Sequence, residues 1–147
     1  MAEEEERLDE EQAVEFLNDA LELQLRSALQ YSITAASLIG IEAQAIGGEL
    51  TDYGDQELAD ARLLIEKVVA LGGTPTTKIA ELRHDSDAAS AVAWLIECEQ
   101  AAIEKLQRAI EPTGREGRSE ALEHLLEHLI MRKQHQVDFL TRASEAG

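Results

Sequence analysis

The chain has 147 residues, of which 44% are hydrophobic, and a formal net charge of −17 at pH 7. This length fits one domain over residues 1–147 with a sizeable core. The negative charge argues against nucleic acids and anionic membranes as partners, and no apolar run approaches the roughly 18 residues of a membrane span. The single cysteine, Cys98, excludes an internal disulfide. Because the sequence also has no secretory signal pattern, we expect a cytoplasmic protein.

Two helices are predicted in the first half of the chain, where apolar residues recur every three or four positions. The first stripe covers 17–38 and ends before Gly40. The second covers 43–71 and ends at the Gly-Gly-Thr-Pro segment 72–75. This second stripe continues through the two glycines at 47–48, each of which costs about 1 kcal/mol relative to alanine. We therefore predict one uninterrupted helix there.

The second half of the chain predicts two further helices. Residues 73–86 carry no helical stripe, and Ser86 or Asp87 can cap a third helix with a stripe over 92–110, which is closed by 112–117. The fourth helix covers 121–139 and has two candidate core stripes. We predict that the core-facing stripe consists of Ala121, Leu125, His128, Arg132, His135 and Phe139. The competing stripe consists of Leu122, Leu126, Leu129 and Leu140.

The connections between the predicted helices determine their arrangement. Short loops after the first and third helices make antiparallel neighbours, whereas residues 73–86 are numerous enough to cross the length of a bundle. The sequence therefore predicts an all-α fold, an antiparallel four-helix bundle with a long crossover between its second and third helices.

Each predicted stripe is interrupted near its middle by polar side chains. They are Gln24, Glu57, Asp60, Glu99, Arg132 and His135. Antiparallel helices of similar length place their midpoints at one level, so we expect these side chains to meet inside the bundle. A buried carboxylate must be paired, protonated or bound to a metal. Two hypotheses follow: a metal centre, or a metal-free ion-pair network around Arg132.

At these residues the sequence resembles bacterioferritin and its relatives in the ferritin-like superfamily, over about residues 15–142. The most specific segments are 17–18 and 29–31 on the first helix, Glu57-Leu-Ala-Asp-Ala, Leu71-Gly-Gly-Thr-Pro75, and His135-Gln-Val-Asp-Phe-Leu140. The resemblance implies a ferritin-like bundle with a long crossover. It also implies a di-iron site with one Glu from each of two helices and a Glu-x-x-His pair from each of the other two.

Transferred by this resemblance, the family's ligand positions fall on Gln24, Glu57 with Asp60, Glu99, and Arg132 with His135. Three of the six differ from the family: Gln24 and Arg132 replace Glu, and Asp60 replaces His. The implied metal ligands are Glu57, Asp60, Glu99 and His135, with Gln24, Tyr31 and Arg132 around them. Such a site suits at most one ion, iron or manganese, and does not exclude zinc. Leu58 matches the methionine that binds haem in bacterioferritins, so the resemblance implies no haem.

The sequence thus predicts a bacterioferritin-like, homo-oligomeric protein that binds iron or another metal ion, with a role in iron storage or redox chemistry. The alternative is a structural or binding protein with a metal-free, Arg132-centred network, and a third hypothesis is a peroxidase or oxygenase. The substitutions at Gln24, Asp60 and Arg132 argue against a standard ferroxidase. His124 and His128 have a spacing able to hold a metal, although such pairs are usually solvated surface features.

Overall fold

The computed structural model describes residues 9–111 and 117–145, which form four long helices. These are α1 (Glu10–Ser37), α2 (Ile41–Ala70), α3 (Ala88–Ile110) and α4 (Gly117–Glu145). The predicted all-α four-helix bundle with a long crossover is confirmed, and α2 is uninterrupted at residues 47–48. Of the predicted closing segment 112–117, residues 112–116 lie outside the described residues, and Gly117 begins α4. Of the helices that the structure describes, none is long and apolar enough to cross a membrane.

Local sequence explains where the helices begin and turn. Asp9 and Asp87 are the N-caps of α1 and α3, and each carboxylate accepts a hydrogen bond from the backbone N–H three residues later, at 3.1 and 2.9 Å. Gly40, between α1 and α2, has a φ of 101°, and Gly72, after α2, has a φ of 82°. Both values lie in the left-handed region, which glycine adopts without the steric cost of a Cβ atom. The short turn and the end of α2 therefore depend on these two glycines.

The crossover between α2 and α3 is held against α1 by two side-chain amides. Asn18 donates to the carbonyl of Thr74 at 3.0 Å and accepts from the backbone N–H of Thr76 at 2.9 Å. Gln30 donates to the carbonyl of Arg83 at 2.8 Å and accepts from its backbone N–H at 2.9 Å. From Asn18 to Gln30 is about 18 Å along α1. The crossover thus runs along the bundle, as predicted for residues 73–86.

Two apolar clusters form the core, one in each half of the bundle. The first includes Leu17, Leu21, Leu64, Val68, Leu106 and Leu126. The second includes Tyr31, Leu50, Val92, Leu95 and Leu140. In the predicted stripe of the third helix, Ile103 is buried, whereas Ile96 is only partly buried against the second cluster. In all four helices a polar segment separates the residues of the two clusters, so a polar layer crosses the middle of the bundle.

The core-facing stripe of α4 is not the predicted one. The buried residues of this stripe are Leu122, Leu126, Leu129, Lys133, Gln136 and Leu140. The exposed members of the predicted stripe are Ala121, His128 and His135. The observed orientation buries four leucines, whereas the predicted stripe has only Leu125 and Phe139 as large apolar residues and would bury two histidines and an arginine. The hydrophobic effect therefore favours the observed orientation. The competing stripe is therefore the correct one, and the prediction that His135 faces the interior is wrong.

Candidate functional site

The polar layer contains six side chains from all four helices, and none is more than 3% exposed. They are Gln24 and Tyr31 on α1, Glu57 on α2, Glu99 on α3, and Lys133 and Gln136 on α4. Polar groups this deep must have hydrogen-bond or ionic partners within the protein. The layer is therefore the candidate functional site of the bundle.

The ammonium group of Lys133 lies at the centre of the layer. Its Nζ donates to Oε1 and Oε2 of Glu57 at 2.8 and 2.9 Å, and to Oε1 of Glu99 at 3.0 Å. An ammonium group has three N–H donors, and three carboxylate oxygens surround this one. Lys133 is thus fully paired although it is only 1% exposed.

Three further donors complete the coordination of the two carboxylates. The amide nitrogen of Gln136 donates to Oε1 of Glu57 at 2.9 Å and to Oε2 of Glu99 at 2.6 Å. The hydroxyl of Tyr31 donates to Oε2 of Glu99 at 3.1 Å. The amide nitrogen of Gln24 donates to the backbone carbonyl of Glu57 at 2.8 Å and also to its carboxylate. Gln24 and Gln136 therefore direct N–H groups, rather than metal-binding oxygen atoms, at the centre.

Burial and mutual charge determine how the layer ionises. Burial raises the pKa of Glu57, but the Lys133 ammonium and the hydrogen bonds to its carboxylate lower this pKa by more, so the net shift is downward. Burial and the negative charge of Glu57 raise the pKa of Glu99 to about 8 despite the attraction of Lys133. Burial lowers the pKa of Lys133, but the two carboxylates raise it more. Near neutral pH the layer therefore holds one ion pair, Glu57 with Lys133, and a carboxyl of Glu99 whose ionisation is disfavoured.

Asp60 and Arg132 form a separate ion pair at the edge of the layer. Arg132 donates from Nε to Oδ2 of Asp60 at 3.1 Å and from Nη2 to Oδ1 at 2.7 Å. The side chain of Asp60 is 2% exposed, whereas that of Arg132 is 31% exposed. Gln56 also donates to Oδ1 of Asp60 at 3.1 Å. Arg132 therefore covers Asp60 from the solvent side and is not the centre of the interior network.

The predicted site is thus partly assembled. Glu57 and Glu99 meet as expected, beside Gln24 and Tyr31, but Asp60 is bound to Arg132 and His135 lies on the exposed face of α4. Lys133 and Gln136 were missed. They repeat the spacing of the predicted Arg132 and His135 one residue further along the chain, and they continue the leucine stripe that begins at Leu122.

Comparisons with known proteins support this fold. A family model described as a ferritin-like domain matches residues 14–145, and no curated protein matches the sequence. A ferritin-like, diiron-carboxylate protein from Bacillus anthracis str. Ames has 25% identity and a TM-score of 0.84, over 91% of this chain and 96% of the other. The dodecameric thioferritin of Bacteroides fragilis, a bacterioferritin-related protein, has 18% identity and a TM-score of 0.83, over 93% and 86%. The bacterioferritin of Desulfovibrio desulfuricans, which has a diiron site, has 20% identity and a TM-score of 0.83, over 92% and 80%. At 18% and 20% identity, the last two comparisons show similarity of fold alone.

The residues of the polar layer do not fit a di-iron centre. The corrected orientation of α4 places Lys133 and Gln136 where the family pattern has Glu and His. Four of the six ligand positions then differ, since Gln24 and Asp60 also depart from the pattern. In the part of the chain that the structure describes, no group of three or more His, Cys, Asp and Glu side chains could hold a metal. The two carboxylates that remain, Glu57 and Glu99, bind the Lys133 ammonium.

Proposed function

This chain belongs to the ferritin-like domain family, and we propose that it is a metal-free structural or binding subunit rather than an iron-oxidising enzyme. Family membership supports an iron-related role in general terms. The observation that carries the proposal is the position of Lys133 Nζ, within 3.0 Å of oxygens from both Glu57 and Glu99. These are the two carboxylates that a metal ion in the layer would need.

Electrostatics oppose a metal ion in this layer. A divalent ion would have to displace the Lys133 ammonium or bind beside it, and either arrangement leaves a positive charge without a partner in a site closed to water. Loss of the Lys133 proton is also disfavoured, because the carboxylates raise the pKa of this lysine. The second candidate function is a one-ion site on Glu57 and Glu99. This one-ion site is favoured by the proximity of the two carboxylates, but it requires the Lys133 side chain to move away from them.

We also propose that the chain is a homo-oligomer. The dodecameric state of the Bacteroides fragilis relative supports this, as do two exposed apolar side chains on the outer side of α2. Leu58 is 52% exposed and Val69 is 58% exposed. They are three helical turns apart on the same side of α2, where contact with another copy would remove them from water. Sedimentation velocity measures the assembly directly, and a monomer at micromolar concentration would contradict the proposal.

Restoring the family pattern tests whether Lys133 excludes metal. The four changes Gln24→Glu, Asp60→His, Lys133→Glu and Gln136→His recreate two Glu-x-x-His pairs and two further Glu residues. We expect the parent to bind no ferrous ion in the bundle under anaerobic dialysis. The fourfold variant should bind about two, because the pattern describes a two-metal site.

The matched control is the threefold variant that keeps Lys133. It carries both histidines and the added carboxylate of Gln24→Glu, so it differs from the fourfold variant only at the proposed obstacle. We expect it to bind less than one ion. Stoichiometric iron bound at Glu57 and Glu99 in the parent, or two ions in the threefold variant, would show that Lys133 does not exclude metal.

A further inference from the structure

Two histidines lie one helical turn apart on the outer face of α4. His124 and His128 are both exposed, and the side chain of His124 is 82% exposed. Nδ1 of His124 lies 3.9 Å from Oε2 of Glu127, which is also exposed. Because Leu126 between them is buried, this segment has its apolar side in the core and both imidazoles in solvent. The polar layer uses none of these side chains.

This spacing suits chelation of one metal ion by two imidazoles. Helical residues four apart have Cβ atoms roughly 5–6 Å apart, and two histidine nitrogens can then each approach a zinc ion to about 2.0–2.1 Å. The segment His124-Leu-Leu-Glu-His128 has the His-x-x-Glu-His order that also occurs in helical zinc sites. Imidazole ligands favour zinc and other late transition metals over magnesium or calcium.

We propose that His124 and His128 bind one zinc-class divalent ion on the outer face of α4, with water completing its coordination and the negative charge of Glu127 beside it. No group of three or more ligands is preassembled among the described residues, so this is a two-histidine site that forms when exposed side chains rotate. Both imidazoles are exposed, and the net charge of −17 draws cations toward the surface. The proposal is independent of the metal-free polar layer.

Equilibrium dialysis of the untagged full chain against zinc chloride tests the site. The parent should bind one zinc ion per chain and should not exchange it for magnesium in excess. The double variant His124→Gln with His128→Gln should bind at least about tenfold more weakly, because a single water-exposed ligand no longer chelates. Loss of the carboxylate in Glu127→Gln should weaken binding by a smaller factor.

His135→Gln is the matched control. His135 is exposed on the same helix but has Met131 and Phe139 four residues away on either side, so it lacks the second histidine of the proposed site. This variant should bind zinc like the parent. Zinc binding that is unchanged in the double variant would overturn the proposal. If that zinc were instead lost in a variant with both Glu57→Gln and Glu99→Gln, the metal-free centre would be overturned as well.

Discussion

The change Lys133→Met tests the interior network most directly. Methionine is similar in length and fills the same space, but it leaves Glu57 without its positive partner in a layer where both carboxylates are at most 1% exposed. Removing one partner of such a buried pair typically costs about 3–5 kcal/mol. An unfolding entropy of about 2.1 cal/mol/K per residue gives about 0.3 kcal/mol/K for a chain of this length. The melting temperature should therefore fall by about 10–16 °C.

Urea titrations and thermal melts at one protein concentration measure this loss, and two further variants make the result specific. Lys78→Met changes an exposed lysine of the crossover and should cost no more than about 0.5 kcal/mol. Adding Glu57→Gln to Lys133→Met removes the uncompensated charge and should restore about 1–2 kcal/mol. The reasoning is refuted if Lys133→Met is as stable as the parent, or if Glu57→Gln makes it less stable still.

Two other predictions concern the groups around Lys133. The pKa of Glu99 is about 8 in the folded protein against an ordinary 4.5, so the folded state holds a proton that the unfolded chain releases. The free energy of unfolding should therefore fall as pH rises from 4.5 to 8, by up to about 1.4 kcal/mol per unit from this group. Urea midpoints should show this slope in the parent but not in Glu99→Gln, and equal slopes would contradict the assignment. Arg132→Ala should cost about 1–3 kcal/mol, less than Lys133→Met, because water reaches an Arg132 side chain that is 31% exposed. If Arg132→Ala lowered the free energy of unfolding by more than Lys133→Met in the same titrations, Arg132 rather than Lys133 would be the central cation of the network.

The fold could be predicted from the sequence because its determinants are local. Each of α1 to α3 has a single stripe with no competing one, so periodicity alone orients those helices. Asp87 caps α3, and the glycines at 40 and 72 lie where the chain turns. Segment 73–86 is then long enough to connect α2 to α3 by a crossover rather than by a short hairpin loop. None of these inferences requires knowledge of distant contacts.

The centre of the site could not be predicted in the same way, because α4 carries two stripes. Arg132 with His135 and Lys133 with Gln136 have the same spacing and are offset by one residue, so a motif search fits either pair. Lysine is rarely buried without a partner. The burial of Lys133 is favourable only because Glu57 and Glu99 approach it from two other helices. That approach is a long-range property, absent from the sequence around Lys133 itself.

Charge balance explains why the substitutions in the polar layer belong together. The family pattern has four Glu residues, whose four negative charges offset two divalent ions. In this chain the charge of Glu57 is offset by Lys133, and burial and the charge of Glu57 raise the pKa of Glu99, which disfavours a second negative charge. In both arrangements the negative charge is offset, whereas in the intermediates between them it is not. Lys133→Glu alone, for example, would place a third carboxylate beside Glu57 and Glu99 with no cation. The mutual repulsion of the three would oppose folding unless a metal ion were bound. On the function proposed here, the Lys133 network replaces a metal centre, and we expect metal binding to return only when several ligands are restored together.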